Sequence, residues 1–351
     1  MEARQQRMEA ALLGRQEQLF WWLAALPGED PDQTRRRVFR RMPPARGGLR
    51  AVQLGNLAIL RELRELCARN GLEFCLAAGT LLGAVRHGGF VPWDDDVDIY
   101  MPHAHLCRLG ELLRDHPRLE LNPYFTTRRT AYSFDAWQTY KVTFRGLERP
   151  FWADVFALDF VQCPPEEKDR RWGEIRAGLE AAARQLAKTA RRLPYPYYEE
   201  PIRDPAHRRR VEETLEKAMA PLPREEWGDW VYLGRDGHFV WWPELYPAEK
   251  IFPLGELEFE GEPFPVPRDP EGMLRKAYGD FWALPGDFAA GHPGMVPPEF
   301  TEERLRELLE RVLESPFEKQ GGTENDHREE TGPAGGDDGA ARRLPDAGNR
   351  P

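Results

Sequence analysis

The sequence lacks the marks of several large protein classes. It has four cysteines, Cys67, Cys75, Cys107 and Cys163, with no CxxC pair and no zinc-ligand spacing. A disulfide scaffold is excluded, and reduced thiols in a reducing compartment are expected. No GxxxxGK[ST] and no GxGxxG occurs, so there is neither a P-loop nor a dinucleotide fingerprint. Basic charge is the minority: 49 Lys and Arg stand against 59 Asp and Glu, a net charge of −10. Non-specific nucleic-acid binding needs basic surface to neutralise phosphates, so a nucleic-acid partner is not expected, whereas a nucleotide remains compatible with local basic groups. The apolar run from Leu19 to Leu26 is too short to span a bilayer, and the opening residues lack a signal peptide's arrangement. No internal repeat is evident, so a solenoid is not indicated.

What is present is one dense stretch, Gly79 to Pro102, GTLLGAVRHGGFVPWDDDVDIYMP. Strand alternation over its acidic part puts Asp94, Asp96 and Asp98 on one face and Val97 and Ile99 on the other. The apolar pair can then enter a core while the carboxylates converge, and their repulsion raises their pKa values unless a cation sits between them. A divalent, oxygen-ligated metal such as Mg2+ or Mn2+ is the economical explanation. An EF-hand fails, because the sixth and twelfth positions counted from Asp94 hold Ile99 and His105 instead of Gly and Glu. Upstream, Phe74 to Ala78 reads as a short buried strand leading to the turn Gly79-Thr80, with a helix start through Ala84, Val85 and Arg86. Such a turn lets backbone approach a ligand and offers a hydroxyl and a helix N-terminus to phosphate.

The segment GTLLGAVRHGGFVPWDDDVDI resembles the signature of the LicD family, the phosphocholine-transferase-like group related to fukutin-related proteins, within the nucleotidyltransferase-fold superfamily. The resemblance runs from about Leu49 to Pro285 and takes in QLGNLAILRELRELCARNGLEF, TYKVTF, FWADVFALDF, IFPLGELEFEGEPFPVPRD and LRKAYGDFWALP. It implies that Gly79-Thr80 is the superfamily's turn, that Asp96 and Asp98 are its acid-x-acid pair, and that Asp154 is its third acid. The residues agree on the last point, because Asp154 lies in the apolar run FWADVFAL, where an unpaired carboxylate is costly to bury. Asp159 is its rival, placed where the run ends and fit for a turn or cap. Lys141 in TYKV either projects toward the site to hold a phosphate or faces solvent at a strand edge, and the resemblance favours the site. Arg86 is preferred to His87 for phosphate, because its fixed charge and planar fork suit phosphate oxygens. Asp94 and His87 are expected just behind the residues that touch substrate or metal.

The remaining chain reads as support. Residues 1–48 form an N-terminal helical arm and linker, with membrane-surface contact through Phe20, Trp21 and Trp22 as one use of the arm. Leu54, Leu57, Leu60 and Leu63 keep helical spacing toward an αL stop at Asn70-Gly71. A helix over Cys107 to Asp115 and strands around Leu119 to Phe125 and Ala131 to Phe144 follow. Residues 164–221 are read as a helical insert in a domain spanning 49–290, with Tyr195, Tyr197 and Tyr198 structural. Trp241, Trp242 and Tyr246 lead into short strands, and Asp280 is a turn or cap. A C-terminal helix region covers 291–317, and the Gly-, Pro- and charge-rich tail 318–351 is expected to be disordered.

The expected architecture is α/β (α+β), a nucleotidyltransferase-like mixed sheet with flanking helices. The resemblance implies a metal-dependent transferase that moves phosphocholine or a polyol phosphate from a CDP-linked alcohol donor to a sugar hydroxyl of a cell-surface glycan or glycolipid. The expected setting is cytoplasmic, peripheral at the inner membrane face at most. Transfer of a nucleoside monophosphate from an NTP is the second reading, and a catalytically silent scaffold of the same fold is the third.

Overall fold

The computed structural model describes residues 14–129, 134–188, 197–201, 204–220, 222, 225–233, 244–284 and 300–314. The expectations for Tyr195, Trp241, Trp242 and the tail 318–351 fall outside those residues. In chain order the elements are helix α1 (14–24), α2 (Pro31–Arg40), α3 (Gly47–Asn70), β1 (Cys75–Leu76), α4 (Ala78–Arg86), β2 (Asp98–Pro102), α5 (His103–Arg114), β3 (Leu119–Arg129), β4 (Phe134–Phe144) and β5 (Leu147–Val161). They continue with α6 (Lys168–Leu186), β6 (Tyr197–Pro201), α7 (Pro205–Met219), β7 (Trp230–Leu233), β8 (Tyr246–Pro247), β9 (Gly255–Phe259), β10 (Glu262–Val266), α8 (Pro270–Tyr278) and α9 (Glu302–Glu314).

The sheet is mixed, with strands in the order β1-β2-β5-β4-β3-β6. Among the described residues only β2 and β5 pair in parallel, in a register that sets Asp98 opposite Asp154; the other named pairs are antiparallel. β7 extends the sheet from the far end of β5 and carries β8, while β9 and β10 form a separate hairpin. The α/β class is therefore as expected. The insert 164–221 is not purely helical: between α6 and α7 it supplies β6, which pairs with β3.

Helix α3 is the main brace for the site. Its leucine stripe is buried at Leu57, Leu60 and Leu63, and it ends at Gly71 with φ 65° and ψ 29°, the expected αL stop. Gly55 lets it press onto β5, because a Cβ there would come within 2.3 Å of the Phe151 ring. The close approach brings two polar side chains of α3, Gln53 and Asn56, both fully buried, against the loop before β2. On its other side α3 packs with α9, where Leu305 joins Ala51 and Val52 in a small apolar cluster. None of the four cysteines forms a disulfide, three of them are buried, and burial pushes the Cys67 thiol up to about 12.

Candidate active site

β1 leads into Ala77, whose N–H donates to the Asp98 carbonyl at 3.0 Å. The chain then turns at Ala78, with φ 40°, a left-handed value uncommon outside glycine, and enters α4 at once. Gly79 and Thr80 thus occupy the first turn of the helix, which begins at Ala78 and not, as the sequence suggests, near Ala84. Gly79 is required by proximity: a Cβ there would lie 2.6 Å from Asp94 Oδ2. The Asp94 carboxylate consequently rests against a helix N-terminus, where outward-pointing N–H groups favour anions. Thr80 is buried, and its Oγ1 accepts a hydrogen bond from Asp98 N–H at 2.8 Å, locking α4 to the first residue of β2.

The strand expected beneath all the acids starts only at Asp98, and residues 94–97 are irregular. The neighbouring β1 reaches only Tyr100 and Ile99, so no sheet partner holds the earlier residues on that side. Helix α3 replaces it. Gln53 Nε2 donates to the Asp94 carbonyl and Asn56 Nδ2 to the Asp95 carbonyl, each at 2.9 Å. Asn56 Oδ1 in turn accepts Trp152 N–H of β5 at 2.9 Å, clipping the acid loop to the central strand. The convergence expected of alternation is achieved by these clips. Ligand oxygens of Asp96, Asp98 and Asp154 all lie within 4.8 Å of one another, and all three residues are buried. Asp94, Asp95 and Asp96 form a second such group, sharing Asp96 with the first.

Asp154 is held from both sides. Lys141 Nζ, from the facing register position on β4, donates to Oδ1 at 2.5 Å, and Trp152 Nε1 donates to Oδ2 at 3.0 Å. Each carboxylate oxygen has two lone pairs, so these donors fix its orientation without exhausting it as a ligand. Lys141 is 1% exposed, with its ammonium 5.6 Å from the Tyr124 ring centroid and 5.5 Å from that of Trp152. It is an interior lysine and not one at a solvent edge. Asp159 sits inside β5 opposite Tyr232, not at a cap, and its Oδ1 lies 3.6 Å from His103 Nδ1.

Arg86 is a buried strut and not an open cation, and His87 lies directly against it. The Arg86 guanidinium lies 4.5 Å from the Phe39 ring centroid, donates through Nη1 to the Phe281 carbonyl at 2.9 Å, and donates through Nε to His87 Nε2 at 3.1 Å. Burial lowers its pKa to about 10. The His87 ring lies 3.1 Å through Nδ1 from the Phe39 carbonyl, and burial, then the Arg86 charge, push its pKa down to about 3. It is a neutral ring that accepts from Arg86, which assigns the proton to Nδ1. Asp280 accepts Trp282 N–H at 3.2 Å, as a turn residue should.

Electrostatics identify the centre. Burial, then the charges of Asp96, Asp154 and Asp94, raise the Asp98 carboxyl well above its usual range, with Lys141 opposing them. Burial, then Asp98, Asp94 and Asp96, likewise raise the Tyr278 hydroxyl at the end of α8, so the field of the acids reaches this phenol. Sequence reasoning missed Tyr278, Trp152, Gln53 and Asn56 as parts of the site. Only Gln53 and Asn56 left a signal, as two polar residues on the leucine-rich face of a helix.

Several buried carboxylates with one lysine among them make a donor set suited to a hard divalent cation, so Mg2+ or Mn2+ fits these residues. Fold and site together define an α/β protein with a buried cluster of carboxylates, Asp96, Asp98 and Asp154. Residues 71–173 match the family model described as LicD/FKTN/FKRP, nucleotidyltransferase domain. The chain is 27% identical over 252 residues to the lipopolysaccharide cholinephosphotransferase LicD of Haemophilus influenzae, covering 68% of this chain and 92% of that protein. Shorter matches are 36% identity over 86 residues to an uncharacterized protein of Rickettsia prowazekii, 24% of this chain and 30% of that one, and 33% over 73 residues to mannosyltransferase regulator 4 of Saccharomyces cerevisiae, 19% and 6%. The chain is thus similar to proteins of the LicD family. Among the described residues no helix is long and apolar enough to cross a membrane.

Proposed function

We propose that this chain is a transferase of phosphorus-containing groups, moving phosphocholine or a polyol phosphate from a CDP-linked alcohol to a sugar hydroxyl of a cell-surface glycan or glycolipid, on the cytoplasmic side of the membrane. The observation that carries the reading is the convergence of Asp96, Asp98 and Asp154 at a buried point beside Lys141 and the first turn of α4. The acceptor oxygen bonds to the phosphorus bearing the alcohol, the bond from that phosphorus to the CMP oxygen breaks, CMP leaves, and the hydroxyl proton passes to a carboxylate. Asp96, Asp98 and Asp154 would hold the metal, which supplies charge neutralisation to the diphosphate and the leaving CMP.

The chain's own groups do the rest. Lys141 orients Asp154 and places a positive charge at the edge of the centre. Gly79 and the first N–H groups of α4 offer an anion seat, which the Asp94 carboxylate abuts in this structure. Asp94 and Asp95 extend the acid surface beyond Asp96 and are fit to accept the leaving proton. Arg86 contributes its field through Asp94, and His87 props Arg86 in place.

A thermal-shift screen with CDP-choline, CDP-ribitol, CDP-glycerol and CTP, each with and without Mg2+ or Mn2+, tests the reading. A metal-dependent rise with one CDP-alcohol, absent in Asp98→Ala, and CMP release during turnover are expected. Pyrophosphate release from an NTP would instead establish nucleotidyl transfer.

A further inference from the structure

Helix α1 is fastened to the protein along one side only. Glu17 Oε1 accepts Leu284 N–H at 2.9 Å and Trp21 Nε1–H at 3.1 Å. Trp21 packs on Phe39 with ring centroids 5.9 Å apart, and Arg37 Nη2 donates to the Ala24 carbonyl at 2.5 Å. The opposite side is apolar and open to water: Leu19 is 55% exposed, Trp22 74% and Leu23 67%, with Phe20 at 39% on its flank and Leu26 at 49% just past the helix. A helix on a soluble surface ordinarily turns its polar face outward, and a contiguous exposed apolar patch marks a contact surface. Charge around the patch runs against the rest of the chain. Residues 14–50 hold eight arginines and four acids within a chain of net −10; Arg35, Arg36 and Arg50 pair with Asp280, Glu271 and Glu260, Arg37 pairs with Glu29, and Arg15, Arg40, Arg41 and Arg46 are exposed beyond those pairs.

We propose that this face docks on an anionic lipid bilayer. Leu19, Trp22, Leu23 and Leu26 enter at headgroup depth, and the arginines meet lipid phosphates. An exposed stripe of aliphatic and indole side chains, with Arg15 on the same helix and exposed arginines in the segment that follows, matches the chemistry of an interfacial helix, whose binding scales with buried apolar area and with attraction to anionic lipid. The surface also lies close to the acid loop. Successive ring contacts run from Trp21 to Phe39 at 5.9 Å, to His87 at 5.5 Å and to Trp93 at 6.1 Å, and Trp93 directly precedes Asp94. Docking would therefore bring a membrane-anchored acceptor to the centre, a consequence that rests on the proposed function, whereas the docking itself does not.

The test is co-sedimentation of the full chain with vesicles of phosphatidylglycerol and phosphatidylcholine, or of phosphatidylcholine alone, at low and high salt. Binding to the anionic vesicles, reduced by salt and by the neutral lipid, is expected. The double variant Trp22→Glu, Leu23→Glu should partition about tenfold less or weaker still, with an unchanged melting temperature and unchanged CMP release toward a water-soluble acceptor. Equal partition of variant and wild type, no salt effect, or no binding of the wild type would overturn the proposal. So would a dimer seen by light scattering that the variant abolishes, which would assign the face to a second copy. Vesicle binding that persists while no CDP-alcohol is turned over would overturn the proposed function and leave the docking surface standing.

Discussion

Strand β5 buries two aspartates, Asp154 and Asp159, and their surroundings differ completely. Asp154 stands among Asp96 and Asp98 with Lys141 and Trp152 donating to it, so the charges gathered there exceed what one lysine can balance. Asp159, on the opposite face of the strand, lies 3.6 Å from a single histidine, His103, and belongs to neither group of clustered acids. Two identical residues in one apolar run thus serve different ends, one kept in an unbalanced site for a cation and the other paired within the scaffold. Burial alone does not mark a functional acid; an excess of like charge around it does.

The largest effect should come from emptying the crowded side. Asp98→Ala removes a ligand and is expected to lower turnover on the order of 10²- to 10³-fold while abolishing the metal-dependent rise in melting temperature. Retained metal-dependent turnover in this variant would break the comparison outright. Trp152→Phe keeps the ring but deletes the Nε1–H that orients Asp154, and roughly a 10- to 100-fold loss in metal affinity or activity should follow, read by calorimetry with Mn2+. Wild-type affinity would show that Lys141 suffices to orient the carboxylate.

Asp159→Asn sharpens the other side. Turnover and Mn2+ affinity should stay within about twofold of wild type, because Asp159 belongs to neither group of clustered acids, while urea unfolding should show a loss of about 1–3 kcal/mol from the altered contact with His103. A fall in metal affinity would place Asp159 in the centre after all.

Much of this contrast was open to sequence reasoning, and the rest was hidden for a physical reason. The order turn, acid pair, third acid follows the chain, so Gly79, Thr80, Asp96, Asp98 and Asp154 could be picked out from spacing and resemblance. The leucine stripe of α3 and its Gly71 stop follow from periodicity and from the αL preference of glycine. Residues 94–97 were misread as strand because alternation of acid and apolar residues is also satisfied by an irregular loop whose carbonyls are held by side chains from elsewhere, here Gln53 and Asn56. Arg86 shows the same limit: a cation near a phosphate turn can equally be a buried strut, and only the Phe39 ring and the Phe281 carbonyl distinguish the two. Trp152, which follows β5's alternation like any core residue, gave no sign of its bond to Asp154.

His87 offers the finest test, because its titration opposes that of the acid centre. Burial and the Arg86 charge hold its folded pKa near 3, below the ordinary histidine value of 6.5. Between those values the unfolded chain binds a proton that the folded one refuses, so the contribution of His87 to stability is lost as pH falls through 6.5 toward 3. Asp98 has a raised folded pKa, so its contribution has the other sign and favours the folded state as pH falls. Measuring wild type and His87→Gln side by side, with saturating Mg2+ to suppress the acid centre, cancels what they share. The wild type should lose about 1.4 kcal/mol relative to the variant between pH 7.5 and pH 5.5, since a pH one unit below the unfolded pKa costs about that much. A flat difference would mean that His87 is protonated in the folded protein, and Arg86 could not then donate to its Nε2 as the structure has it.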